Sequence, residues 1–408
     1  MSTSFAILKD PRFRAFFLSD IVSGFGVGMA TIGANWFVLM KTGSNQYVGI
    51  LLAVNVIAGF VASLFSGVIT DKYNRKTVIF FTHAIRAIFL LLLFVMLSNF
   101  NFNMYYLYAF AIINGVGWTV YMSASRSFLQ EILEEKKYVT GNSLLEISLQ
   151  VGMFLAAAAS GFIYKYFSFN AILLVNALMF VFSAIAINLI KYRAVARETN
   201  SENYTLMLRR GWSFLYENKG IFVLGVVSIV PLIVTMIYNV VLPDYVNNTL
   251  QRDSVTFGFA DMSYGIGGLL SGIMMSSLAM KLDARKLISA FFVLACINLL
   301  FLSQNSFVFN LYLCSLLLGL CNSSLRILMN SLLMQTVPKD YMGRSMAVWI
   351  GISLICQCLF SLFIGSYLDQ HGAMIGIVIM ALMMGAGFVM FVLNQLLLSK
   401  KHPENLQG

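Results

Sequence analysis

The 408-residue chain is 59% apolar and 11% charged, with a mean hydropathy of +0.81, which leaves too little polar surface for a soluble protein of this length. Its net charge of +10 would suggest nucleic acid in a soluble chain, but here the charges sort into short intervals between apolar runs, so no nucleic-acid partner is expected. Five cysteines, Cys296, Cys314, Cys321, Cys356 and Cys358, all lie in apolar runs and the three histidines are scattered, so neither a disulfide framework, a metal site nor a cofactor is indicated.

Met1 to Phe13 carries Lys9, Asp10 and Arg12 without an apolar core or a small-residue cleavage site, so the first span is expected to remain as an anchor. A spanning helix needs about 20 mostly apolar residues. Such runs recur at 15–40, 46–69, 78–98, 104–126, 140–164, 169–190, 221–246, 256–280, 287–303, 307–335, 343–367 and 373–398. The expected fold is an all-α polytopic membrane protein, with twelve transmembrane helices in two six-helix pseudo-symmetric bundles. Most Lys and Arg fall on one side of this map, and only Lys41, Lys165 and Arg252 fall on the other. By the positive-inside rule both termini are cytoplasmic and the chain is integral to the cytoplasmic (inner) membrane.

The longest polar interval divides the chain into an N-terminal bundle (1–190), a cytoplasmic linker (191–220) and a C-terminal bundle (221–408). Within the linker, Tyr204 to Tyr216 places Leu206, Arg209, Arg210, Trp212 and Tyr216 as a basic amphipathic helix would, and it is expected to lie on the inner leaflet. The halves read as diverged copies at an offset near 205 to 210: Gln130 and Gly141 answer to Gln335 and Gly343, Gly161 to Gly365, and Arg75-Lys76 to Arg285-Lys286.

Between the second and third spans lies GVITDKYNRK, Gly67 to Lys76. It resembles the signature loop of the major facilitator superfamily, with Gly67, Asp71, Arg75 and Lys76 in place and Lys72 for an Arg. Asn74 replaces a Gly, which is tolerable if the turn needs a left-handed residue. The second-half copy, MKLDARK, keeps the basic pair but has Lys281 where the acid would be. Trp36 to Ser44, His83 to Ala87, Ala124 to Ser148 and Gln335 to Val348 further resemble the drug:proton antiporter branch that includes macrolide-efflux and siderophore-exporter proteins. The resemblance implies a secondary active transporter, not an enzyme, that exports an amphipathic organic molecule by alternating access in exchange for protons. Its partners would then be that small molecule, protons and membrane lipids, with the protein a monomer. The resemblance also implies a conformational-switch role for Gly67, Asp71, Lys72, Arg75, Lys76, Arg86 and Arg126.

Ionisable residues inside spans are costly and mark function or a helix tie. They are Asp20, Arg86, Glu146, Asp261 and Arg326. Asn142, Glu146 and Gln150 form one stripe at i, i+4 spacing, Asn322, Arg326 and Asn330 a second, and Asn114, Trp118, Tyr121 and Ser125 a third with aromatic character suited to a ligand. Substrate contact is therefore expected from Asn114, Trp118, Tyr121, Gln150, Asn322, Arg326, Asn330 and Asp261. Proton coupling is expected from Glu146 or Asp20, with Glu146 favoured because Asp20 has the shorter route to the headgroups. Glu146 could alternatively be a fixed tie to Arg126 or Arg86, and Asp261 a gate partner of Arg326 or part of an outer vestibule. His83 reads as a lone histidine, and Glu131 to Lys137 as a solvated loop. The alternatives are a lysophospholipid flippase, a ferroportin-like metal exporter and a membrane receptor or interaction protein. Where the metal exporter would have Gly-Asp this chain has Gly26-Val27, and the outer loops are too short for a receptor domain.

Overall fold

The computed structural model describes residues 5–134, 137–191, 204–304 and 306–401. These form thirteen α-helices and, among the described residues, no strand: α1 (Pro11–Thr42), α2 (Asn45–Lys72), α3 (Arg75–Asn99), α4 (Met104–Ile132), α5 (Tyr138–Phe167), α6 (Phe169–Asn188), α7 (Tyr204–Glu217), α8 (Lys219–Asp244), α9 (Ser254–Lys281), α10 (Ala284–Ser303), α11 (Val308–Thr336), α12 (Lys339–His371) and α13 (Ala373–Lys401). Among the described residues eleven helices are long and apolar enough to cross a membrane. The 28-residue α9, with Asp261 its only interior charge, completes twelve spans. Several helices outrun their apolar windows by a turn or more, because helical hydrogen bonding continues past the hydrocarbon until a cap ends it. Asp10 and Pro11 begin α1, with Asp10 accepting from Arg12 N at 2.8 Å, and Gly43 at φ 65° ends it.

Contacts divide the chain into two units: Met1–Gly43, Ile50–Ser201 and Asp253–Gly265 in the first, and Ser44–Gly49, Glu202–Arg252 and Ile266–Gly408 in the second. In unit 1, α1 packs on α5 and α6, and α3 on α4 and α6. One end is filled by Phe13, Phe16, Ile79, Tyr121, Phe128, Leu129, Leu145 and Ile187. In unit 2, α8 packs on α11, α12 and α13, and α10 on α11 and α13. The amphipathic helix forms as expected, but it docks on α12 and α8: Leu215 is buried, and Phe214 stacks on Tyr341 at 4.4 Å.

Two helix starts cross between sequence halves. The first residues of α2 belong to unit 2 and those of α9 to unit 1. Each crossing rests on one of the glycines the sequence pairs as counterparts. A Cβ on Gly161 would run into Ser254 O, and one on Gly365 would lie 2.6 Å from Asn45 O.

Close approach of α1 and α5 also depends on glycine. A Cβ at Gly152 would strike Ile21 O, and those at Gly24 and Gly28 would crowd the α5 backbone at 3.1 and 3.0 Å. Small residues at such a seam let helices meet by van der Waals contact in a medium that gives no hydrophobic drive. The α1–α5 seam holds Asp20 beside Ser148. Gly152→Val should lower stability by about 1–3 kcal/mol through overpacking, read as a fall in melting temperature of the purified protein, and Gly272→Val, where nothing lies within 4 Å, should not.

Candidate functional site

The signature loop is a set of helix ties. Tyr73 and Asn74 turn the chain between α2 and α3, and Asn74 accepts from Lys76 N at 3.0 Å as the N-cap of α3. Its φ of −58° corrects the expectation of a left-handed residue: Asn serves here for its side-chain oxygen, not for backbone freedom. Asp283 caps α10 in the same way, accepting from Arg285 N at 2.9 Å, so the structural repeat aligns Asn74 with Asp283. Arg75 forms a buried ion pair with Glu131 in the last turn of α4, with only 6% and 2% of the two side chains exposed. Glu131 is thus not part of a solvated loop. Glu135 and Lys136 of that run lie outside the described residues, as does the side chain of Asp71. Lys76 Nζ donates to Asn188 O at 2.7 Å and Ile190 O at 2.8 Å, closing the free carbonyls at the end of α6. Lys72 is exposed, and the structure gives no steric reason for Gly67, whose Cβ would meet nothing within 4 Å.

A chain of polar side chains runs through the interior of unit 1. Asp20, 1% exposed, accepts hydrogen bonds from the Tyr121 hydroxyl and from Ser148 Oγ. No lysine or arginine pairs with it among the described residues. This overturns the snorkelling alternative for Asp20, because two buried hydroxyls fix the carboxyl inside the bundle. The ring of His83 lies 4.9 Å from Tyr121 and stacks on Phe180 at 5.6 Å. Arg86 sits over the other end of the group, its guanidinium 4.1 Å from the Phe180 ring and donating to Asn114 Oδ1. A cavity of about 10 Å³ there is lined by Arg86, Asn114, Asn176 and Phe180, about the size of one water molecule. Both nitrogens of His83, Nη1 of Arg86 and both amide atoms of Asn176 are buried without a protein partner among the described residues. His83, read from sequence as a lone histidine, lies three residues before Arg86, which puts both on one face of α3.

The third polar stripe therefore turns inward. Tyr121 is fully buried on Asp20, Asn114 holds Arg86, and Ser125 bonds its own helix at Met122 O. Trp118 is half-buried. The α5 stripe is different: Glu146 is exposed and meets Arg126 at 2.7 Å, and Arg126 also donates to Asn142 at 3.2 Å. Gln150 is half-buried on the same helix. On α11, Asn322 is buried and donates to Thr235 Oγ1 at 3.2 Å, whereas Arg326 and Asn330 are exposed. Asp261, in unit 1, is half-buried and makes no hydrogen bond or ion pair among the described residues, and Arg326 belongs to unit 2.

Two polar ties hold the crossing helix starts, and neither was read from the sequence. Asp369, near the end of α12, accepts from Asn45 N at 2.6 Å, Gln46 N at 3.2 Å and the Ser44 hydroxyl, capping α2 from another helix. Asp253 pairs with Lys165 at 2.6 Å, and Ser254 Oγ donates to Gly161 O at 2.9 Å. Partial burial pushes the Asp253 carboxyl up, but bonds from Lys165 and Thr256 outweigh it and hold the carboxyl below the usual carboxylate range. Because the shift is downward, the tie is present at neutral pH and is lost only as pH falls through that lowered value.

Twelve spans in two bundles of six, with buried charges tying the helix ends, define a membrane transporter of the major facilitator type. The sequence matches the Transmembrane secretion effector family over residues 2–405, and the chain belongs to that family. It is 22% identical over 371 residues to macrolide efflux protein A of Streptococcus pyogenes, covering 87% of this chain and 90% of that protein. It is 26% identical over 318 residues to the multi-drug resistance efflux pump PmrA of Streptococcus pneumoniae serotype 4, covering 76% of each. In fold it is similar to the crystal structure of the nucleoside transporter NupG, with a TM-score of 0.74 at 15% identity, covering 94% of this chain and 99% of that one.

Removing one partner of a buried ion pair strands the other charge, at a cost of about 3–5 kcal/mol. Arg75→Ala should therefore lower the melting temperature sharply, whereas Lys72→Ala, on the exposed side of the same loop, should stay within about 0.5 kcal/mol of the parent. Equal melting temperatures for the two variants would contradict this assignment of roles.

Proposed function

We propose that the chain exports an amphipathic organic molecule, of the macrolide or multidrug kind for which its relatives are named, by alternating access in exchange for protons, from a cytoplasmic membrane in which both termini face the cytoplasm. The observation that carries the coupling is Asp20, a carboxyl group sealed inside unit 1 and held by two neutral hydroxyls, with no ion pair to it among the described residues and the Arg126–Glu146 pair acting on it only through space. A lone carboxylic acid is least costly to bury in its neutral form, and a wetted one gives up its proton. Opening the bundle around Asp20 to water on one side and closing it on the other therefore moves a proton with the cycle. Glu146 is less suited to this role, because it is exposed and already neutralised by Arg126. Its pair is worth only about 0–1 kcal/mol and is free to exchange partners during the cycle.

Substrate contact is assigned to Gln150, Trp118 and Asp261 in unit 1 and to Arg326 and Asn330 in unit 2, the expected contact residues that are not sealed among other side chains. Asn114, Tyr121 and Asn322 act through the bundle interior. Alternation requires the α2 start to leave Asp369 and Asp253 to leave Lys165. Asp253 stays ionised at neutral pH, so that tie opens mechanically and not by protonation.

The test is transport in proteoliposomes with an imposed pH gradient, using a macrolide and a lipophilic cationic dye. Asp20→Asn should keep ligand-induced thermal stabilisation but lose uphill movement, and Glu146→Gln should retain gradient-driven transport. Uphill transport by Asp20→Asn would refute the assignment. For the ties, Asp369→Asn should raise the labelling rate of a single cysteine placed at Val48, which is fully buried, severalfold, and an unchanged rate would mean that Asp369 does not hold the α2 start in place.

A further inference from the structure

The amphipathic helix α7 and the first turn of α8 enclose a cleft of about 300 Å³, lined by Trp212, Leu215, Tyr216, Lys219, Phe222 and Val223. Its wall is apolar and aromatic apart from Lys219. Trp212 meets Phe222 edge-on at 6.1 Å, yet Trp212 remains 53% and Tyr216 75% exposed. The helix is fixed in place. A Cβ on Gly211 would lie 2.5 Å from Arg344 O, and Phe214 stacks on Tyr341, so one face of α7 is committed to α12 and the other is left open. Arg209 and Arg210 are exposed on α7 before Trp212, Lys219 lines the cleft, and Glu217 is an exposed acid of the same helix. The span formed by α8 starts at Lys219, so the cleft lies where the chain enters the bilayer, at the depth where exposed Trp and Tyr are favoured.

We propose that this cleft binds one anionic phospholipid, with an acyl chain against Trp212, Leu215, Phe222 and Val223 and the headgroup phosphate on Lys219, Arg209 and Arg210. The charge set selects the headgroup. A zwitterionic lipid brings its own cation toward three protein cations, whereas a phosphatidylglycerol headgroup brings only the phosphate. An exported organic molecule is a poorer fit, because the wall offers few directional polar groups to orient it. Because α7 is docked on both α8 and α12, a bound lipid fastens the linker helix to two spans of unit 2. The site is separate from the interior chain of unit 1 and does not depend on what is exported.

Trp212 is itself the reporter, since Trp36 and Trp349 are buried at 4% and 2% exposure and Trp118 is half-buried. The full-length protein would be placed in phosphatidylcholine vesicles containing a small fraction of either phosphatidylglycerol or phosphatidylcholine with brominated acyl chains, and tryptophan quenching followed against that fraction. Quenching by the brominated phosphatidylglycerol should reach its midpoint at a fraction at least about tenfold lower than for phosphatidylcholine. The signal should vanish in Trp212→Phe, and Arg209→Gln/Arg210→Gln/Lys219→Gln should erase the headgroup preference with an unchanged melting temperature in detergent. Equal midpoints for the two lipids, a preference that survives in Trp212→Phe, or relief of the quenching by a macrolide but not by unlabelled phosphatidylglycerol would each overturn the proposal.

Discussion

A polar group inside a bilayer-spanning bundle has no water to turn to, so it must find a protein partner or be retained at a cost of several kcal/mol. In unit 1 that constraint fixes how the helices face each other. Asp20 on α1 draws Tyr121 of α4 and Ser148 of α5 to one point, and Ser19 is bonded to Ser183 of α6 at 2.6 Å one residue earlier. Four helices are oriented by two adjacent residues. The glycine seam between α1 and α5 brings the backbones close enough for the shortest of these side chains, a serine, to reach the carboxyl. His83, Arg86 and Asn176 stand beyond this satisfied cluster with polar atoms unspent on protein.

The helix ends use one device at different strengths. Arg75 and Glu131 are both almost fully buried, so parting them leaves two stranded charges, and the tie braces α3 against α4. Lys165 and Asp253 are each more than two-fifths exposed, and Glu146 with Arg126 is similarly open to solvent. Water replaces the partner in such pairs at little cost, so they suit contacts that form and break. The Asp369 cap on α2 belongs with them: three helix-start donors are satisfied when it is in place, and on separation solvent satisfies them instead.

The spans, their number and the amphipathic linker helix were legible in the sequence because run length, hydropathy and the placement of Lys and Arg register directly in composition. The repeat was legible too, down to Gly161 and Gly365. What was not legible is rotation. Helices that are apolar on every side carry little signal of which face turns inward, so Tyr121 read as a ligand-facing aromatic and Asp20 as the less favoured of two proton-coupling candidates. Glu131 read as a loop residue because charge near the end of a span is ordinarily solvated. Its burial follows from a partner 56 positions earlier at the same end of an antiparallel helix pair, which opposite charges on Arg75 and Glu131 could have indicated. Asn74 was read through backbone freedom, whereas its side-chain oxygen is what α3 needs.

The central claim is that Asp20 exchanges its proton in step with substrate. The most direct measurement is proton release by the purified protein in weakly buffered detergent solution when a macrolide that stabilises it is added. The account predicts proton release on binding by the parent and by Glu146→Gln, growing as the pH is lowered below neutral, and none by Asp20→Asn despite retained binding. Release from Asp20→Asn equal to that of the parent would contradict it.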